Sequence, residues 1–169
     1  VRVRPKNHPA RRLTGAAHLL ARFMEEGLLE GVLRLVNEGR SDIEWLESSF
    51  MVGATAPCYN SERALIGRGR AREIVVNIVL PFTFAWAEAN SQAKQAEQAL
   101  ALYRSYPKSD DNEITRGLTK LMGTGVSSTV NSARRQQGRI HLDKTFCRQR
   151  RCDDCPLVRR LAVLHEVLC

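Results

Sequence analysis

Ile74-Val-Val-Asn77-Ile-Val-Leu-Pro81-Phe-Thr-Phe-Ala-Trp-Ala-Glu-Ala89 is the stretch whose reading decides the fold. Its first seven residues are rich in β-branched side chains and, taken alone, read as a buried strand. The continuation through Phe82, Phe84, Ala85, Trp86 and Ala89 carries the apolar pattern past strand length. One long buried helix, kinked at Pro81, accounts for the whole stretch. Asn77 and Pro81 interrupt the run, which is too short to span a bilayer. With this stretch helical, the architecture expected is all-α.

Upstream, Arg2 to His8 is expected to be extended, because Pro5 and Pro9 disfavour helix at the residues before them. Pro9 suits a first helical turn. Leu13, Ala16, Ala17, Leu20, Phe23 and Met24 then recur at helical spacing, which predicts a face packed inward. Gly27 and Gly31 break the chain before Leu28, Val32, Leu35 and Val36; Gly39 ends that second helix. Ser41 or Asp42 caps a short third one through Trp45 and Phe50. Gly53 to Ser61 reads as a loop holding Cys58. Gly67-Arg-Gly69 lacks the third glycine and the preceding strand of a dinucleotide fingerprint, so it is not read as a phosphate loop.

Downstream, Ser91 to Tyr103 predicts a helix stopped by Pro107. Asp110 or Asp111 caps the next, with Ile114, Leu118, Leu121 and Met122 inside and Gly123 at its close. Ser127 to Thr145 predicts a further helix around Val130, Ala133 and Ile140. Leu157, Leu161, Leu164 and Leu168 predict a last amphipathic one. The expectation is a single compact helical domain over residues 1–169, of about six to eight helices, with a Cys-rich turn near the C-terminus.

At 169 residues, 43% hydrophobic and 26% charged, the chain is long enough to bury a core and too apolar to be disordered. The first twelve residues carry five basic side chains and no apolar core, which is no signal-peptide pattern. The expected location is the cytoplasm, with no membrane partner. The chain starts at Val1, as expected of a C-terminal fragment of a longer protein. A formal charge of +8 points to an anionic partner, DNA or RNA. Positive charge clusters in residues 1–22, around Arg68, Arg70 and Arg72, and from Arg134 to Arg160, while residues 25–47 are acidic.

The most concentrated chemistry is Cys147-Arg-Gln-Arg-Arg-Cys152-Asp-Asp-Cys155-Pro156. Three thiols at gaps of four and two residues can turn toward one centre, and the surrounding arginines favour thiolates. Zinc and iron–sulfur clusters are the species that take such a soft set, and the spacing does not choose between them. Cys169 is the nearest fourth ligand; Cys58, His141 and His165 are the alternatives. The competing reading is of free thiols in a basic turn. Just before the cysteines, Arg134, Arg135 and Arg139 share a helix with Gln136 and Gln137. With Arg148, Arg150 and Arg151 they form a candidate phosphate-contacting surface. Each arginine singly reads more readily as a solvated, ion-paired side chain. Only Phe146 is near enough to stack on a base, which disfavours single-strand recognition. His8, His18, His141 and His165 lie in no catalytic motif, His18 reading as a core or boundary residue, and no carboxylates pair as acid and base. The expectation is that this chain alone is not catalytic.

Several stretches together are similar to a family of bacterial proteins named domain of unknown function 2851. They are Arg2-Val-Arg-Pro-Lys-Asn-His-Pro9 with Arg12-Leu13, Gly67 to Arg72, Asn77-Ile-Val-Leu-Pro-Phe82, Ala133-Arg-Arg-Gln-Gln-Gly138, and the run Cys147, Cys152, Cys155-Pro156. The resemblance implies that the chain corresponds to a C-terminal part of longer proteins whose N-terminal region resembles restriction-endonuclease-like nucleases. It implies no catalytic residues and no fourth ligand. Helical repair glycosylases and nucleases with a C-terminal iron–sulfur cluster are a weaker likeness, with a different cysteine spacing. The function expected is a helical accessory domain of a bacterial nucleic-acid-processing protein. It would be stapled by zinc or an iron–sulfur cluster, with the missing N-terminal region among its partners. The alternative is a helical interaction or scaffold domain. A redox sensor using Cys152 or Cys155 is a third reading.

Overall fold

The computed structural model of the chain describes residues 8–39, 42–53, 64–122 and 130–159. Among these the architecture is all-α, with no strand beyond isolated bridges at Val52–Ile66 and Pro107–Ser132. The contacts fall into two compact units, Val1–Tyr106 and Pro107–Cys169.

The deciding stretch is helical. In the first unit α4 (Arg68–Ile74), a π-helical turn π1 (Val75–Val79) and α5 (Leu80–Ala89) run on without a break. The distortion expected at Pro81 takes the form of that π turn. Proline has no N–H to donate, and its ring crowds the carbonyl four residues back. The helix widens just before it, and Leu80 N donates to the carbonyl of Val75. Val75, Val76, Val79, Leu80, Thr83 and Ala87 are buried, whereas Ile78 is 61% exposed and Phe82 is also outside. The helix is therefore buried on one side, not all round.

Around it lie α1 (Pro9–Ala21), α2 (Leu28–Gly39), α3 (Ile43–Ser49) and α6 (Ala93–Ser105). Asp42 caps α3, its Oδ1 accepting from Trp45 N at 2.9 Å. α5 and α6 form a helical hairpin turning through Ser91, whose φ is 57°. Gln98 on α6 donates to the α2 carbonyls of Val36 (2.8 Å) and Asn37 (3.1 Å), which have no partner within their own helix.

Two details of α1 depart from the pattern read in the sequence. Its apolar face of Leu13, Leu20 and Met24 is exposed, Met24 to 82%. Of the residues read as inward, Phe23 is buried, and the chain packs there through Arg11, Gly15 and Leu19 with it, four residues apart. Arg11 donates to the Ala64 carbonyl at 2.7 Å, and Gly15 lies against Ile66. His18 is exposed, not a core histidine. Beyond α1, Gly27 takes φ 87°, and Gly31 lies under the Phe23 ring, where a methyl group would collide with it.

The first unit also buries a charge. The Glu47 side chain is 1% exposed and accepts from Arg68 Nε and Arg72 Nε, both at 2.7 Å, and from the Tyr106 hydroxyl at 3.1 Å. Arg68 and Arg72 are one helical turn apart, so both reach one carboxylate. α3, α4 and the end of α6 are tied together there. Burial pushes the Glu47 carboxyl up, but the two guanidiniums outweigh it and hold it below the usual range.

The second unit holds α7 (Glu113–Met122), α8 (Ala133–Leu142), a π turn π2 (Asp143–Cys147) and the start of a helix over 156–159. Asn112, not Asp110 or Asp111, caps α7. Its Oδ1 accepts from Thr115 N and Thr115 Oγ1 accepts from Asn112 N, both at 2.9 Å, a reciprocal capping box. Ser132 caps α8 through Arg135 N. Gln136, buried, is held by Ser109 N (2.9 Å) and the Ser109 and Asp110 carbonyls. Thr115, Leu118, Ala133 and Cys155 are buried as well. Residues 1–7, Cys58, Gly123, Leu161, Leu164, His165, Leu168 and Cys169 lie outside the described residues.

Candidate metal centre and nucleic-acid interface

The cysteine turn is shaped by its backbone. π2 ends at Cys147, where Arg148 N donates to the Asp143 carbonyl at 2.9 Å. Arg151 N then reaches back to the Phe146 carbonyl (2.9 Å) and Arg150 N to that of Cys147 (3.1 Å). This pair of bonds is a Schellman closure. Its left-handed position, ordinarily glycine, is occupied by Arg150 at φ 54°. Asp153 and Asp154 make a turn, Cys155 N donating to the Cys152 carbonyl at 3.0 Å. Pro156 then opens the next helix, where a missing N–H costs nothing.

Cys147 and Cys152 are exposed and Cys155 is buried. Burial raises the Cys147 thiol above its ordinary value, and the Asp143 carboxylate and the thiolates of Cys155 and Cys152 add to the effect. The expectation that arginines favour the thiolate does not hold at Cys147. Three of the nearby guanidiniums are engaged by acids: Arg148 Nε with Asp143 (2.7 Å), and Arg151 and Arg159 with Asp154 (2.9 and 3.2 Å). Cys147 thus feels the charge of the other two sulfurs, a repulsion that a bound cation relieves.

As donors, three thiols suit zinc or an iron–sulfur cluster. Among the described residues, however, no three His, Cys, Asp or Glu side chains converge on one metal position. Of the fourth-ligand candidates, Cys169, Cys58 and His165 lie outside the described residues. His141 is exposed, its Nδ1 3.5 Å from Thr145 Oγ1. Cys147 also lines an open groove of about 510 Å³ with Glu113, Ile114, Gly117, Leu118, Asp143 and Arg148.

Arg148, Arg150 and Arg151 come together with the cysteines, Arg151 stacking over Phe146 at 5.8 Å. Arg134 and Arg135 are exposed near the start of α8, Arg135 donating to Asn131 Oδ1 at 3.0 Å. A rise of about 1.5 Å per residue puts them roughly 20 Å from the cysteine turn. Arg139 is different. It is buried, its Nη2 donating to Thr119 Oγ1 (2.9 Å) and the Thr115 carbonyl (3.3 Å), and it is not part of the exposed arginine surface. The Glu47 cluster was not foreseen; the arginine spacing at 68 and 72 was its one signal.

A family model described as "Protein of unknown function (DUF2851)" matches residues 1–112. The chain belongs to this family. The DUF2851 match spans the first compact unit and ends before α7, so Ala133–Gly138 and the cysteine run are not part of it. No curated protein and no solved structure matches the chain. No helix among the described residues is long and apolar enough to cross a membrane.

Proposed function

We propose that this DUF2851 chain is a helical accessory region of a cytoplasmic, bacterial nucleic-acid-processing protein. In this reading Cys147, Cys152 and Cys155 hold zinc or an iron–sulfur cluster that staples the second unit. Arg134, Arg135, Arg148, Arg150 and Arg151 contact the phosphate backbone. Arg139, being buried, is not part of that surface. The metal's contribution is to tie the turn and offset thiolate repulsion; the arginines do the binding.

One observation carries the reading: Arg150 holds the left-handed position of the Schellman turn, in the middle of the cysteine run. A non-glycine residue there is strained by about 1–2 kcal/mol. Strain kept at one residue is a pointer to what its side chain does. Arg150 is exposed and has no ion-pair partner among the described residues. The ion pairs of Arg148 and Arg151 are exposed, worth at most about 1 kcal/mol, and a polyanion can displace them.

Elemental analysis and an absorption spectrum on anaerobically purified protein test the metal. About one zinc per chain, or iron with sulfide and a visible band, is the expected result; neither, in protein that is folded, refutes it. Duplex binding should weaken steeply with salt, each phosphate contact contributing about 0.9 to the logarithmic slope. No binding to DNA or RNA at low salt refutes the nucleic-acid reading.

The scaffold reading rests on a separate observation, the exposed apolar faces of α1 and of Ile78 and Phe82. Under it, charge reversal at Arg134 and Arg135 alters assembly and leaves nucleic-acid behaviour unchanged.

A further inference from the structure

Among the described residues of the second unit, Arg139 is the one charged side chain sealed by the fold, at 7% exposed. A guanidinium stays protonated at any working pH, so burial cannot neutralise it as it neutralises a lysine or a carboxylate. Buried charges are accordingly found with a counter-charge. Arg139 has none among the described residues. Its Nη2 is held by two neutral oxygens, and its Nε, closed off from solvent, donates to nothing. Of the described acids of the second unit, Asp111 pairs with Lys108, Asp143 with Arg148, and Asp154 with Arg151 and Arg159. Gln136, also buried, spends its amide on the Ser109 and Asp110 backbone.

We propose that Arg139 is the cationic floor of a recessed oxyanion site in the seam between α7 and α8. The site takes one group of the phosphate class. Thr119 Oγ1 and the Thr115 carbonyl hold the guanidinium by Nη2, so its plane is set before the ligand arrives. Nε and the unpartnered Nη1 are the donors left for the anion, and a planar donor set of this kind matches phosphate oxygens. The source is free phosphate or a phosphodiester. The site does not depend on whether the exposed arginines bind nucleic acid.

The test uses the full chain labelled with ¹⁵N, following arginine Nε–H resonances. Inorganic phosphate is titrated against chloride at constant ionic strength, and a short DNA duplex is titrated separately. One slowly exchanging Nε–H, assigned by its loss in Arg139→Lys, should move to saturation. Thr119→Val, which keeps the volume but frees the guanidinium, should weaken that response about tenfold, the worth of one charge-assisted hydrogen bond. Saturation with phosphate supports a free-anion site; saturation with the duplex alone supports a phosphodiester site. No movement with either ligand overturns the proposal, as does equal movement of all arginine signals.

Discussion

Replacing Glu47 with glutamine tests the buried cluster of the first unit. The Glu47 side chain is 1% exposed and receives three hydrogen bonds, two of them from guanidiniums at 2.7 Å. A glutamine keeps the shape, but its amide turns an oxygen to one arginine only and points N–H groups at the other. Removing one partner of a buried ion pair costs about 3–5 kcal/mol. Arg68 is 51% exposed and regains water easily, whereas Arg72 is 28% exposed and does not. Discounting the Arg68 share for solvent screening leaves about 2–4 kcal/mol. Both tryptophans, Trp45 and Trp86, lie in the first unit, so their fluorescence follows its unfolding alone. At a slope near 2 kcal/mol per M of urea, the midpoint should fall by about 1–2 M. The pH dependence has a definite sign. Glu47 ionises below the usual carboxyl range when folded and at about 4.3 when unfolded. Its stabilisation is therefore fully present above about pH 4.3 and lost as pH falls through the folded value. In Glu47→Gln that part of the acid limb should be missing. A midpoint within about 0.3 M of wild type at the same slope, or an unchanged acid limb, refutes the assignment.

Tyr106→Phe removes one hydrogen bond to the same carboxylate from a fully buried side chain and should cost about 1.5–2 kcal/mol in the same assay. Gly31→Ala drives a methyl group into the Phe23 ring and should cost about 1–3 kcal/mol, visible as a lower urea midpoint. Arg150→Gly relieves the left-handed position and should stabilise the second unit by about 1 kcal/mol, followed by amide hydrogen exchange at α8. The same change should lower the salt slope of duplex binding by about 1; stabilisation with an unchanged slope would remove Arg150 from the interface.

The helices were legible because their signals are local. Pro9, Asp42 and Gly39 each act within a turn of the residue they mark, and the structure uses them as read. What was not legible depends on partners far along the chain. Leu13, Leu20 and Met24 look like a core face by composition. α1 nevertheless packs through Arg11 and Gly15, because the small glycine admits Ile66 and the arginine finds the Ala64 carbonyl. Glu47 sits in the acidic run of residues 25–47, and only the fold shows that it meets Arg68 and Arg72. At the cysteine run, the spacing announced a Cys-rich turn, and the chain turns at Asp153 and Asp154. It could not show that Asp143 and Asp154 would absorb the arginine charge expected to activate the thiols.

The same lesson bears on the net charge. A formal +8 was read as three basic clusters, but the fold gives each arginine a different task. In the middle cluster Arg68 and Arg72 meet Glu44 and Glu47, and Arg70 meets Glu73, so guanidiniums and carboxylates balance there. Residues 143–159 carry five basic side chains against three acids, and their pairs are on the surface, where screening makes them exchangeable. Balanced and partly buried charge in the first unit holds helices together; unbalanced and exposed charge beside the cysteines is available to a polyanion. Arg139 fits neither group, being buried yet without a counter-charge among the described residues. Neutralising substitutions should therefore separate by readout: stability at Arg68 and Arg72, salt-dependent binding at Arg150 and Arg151, and an anion-specific response at Arg139.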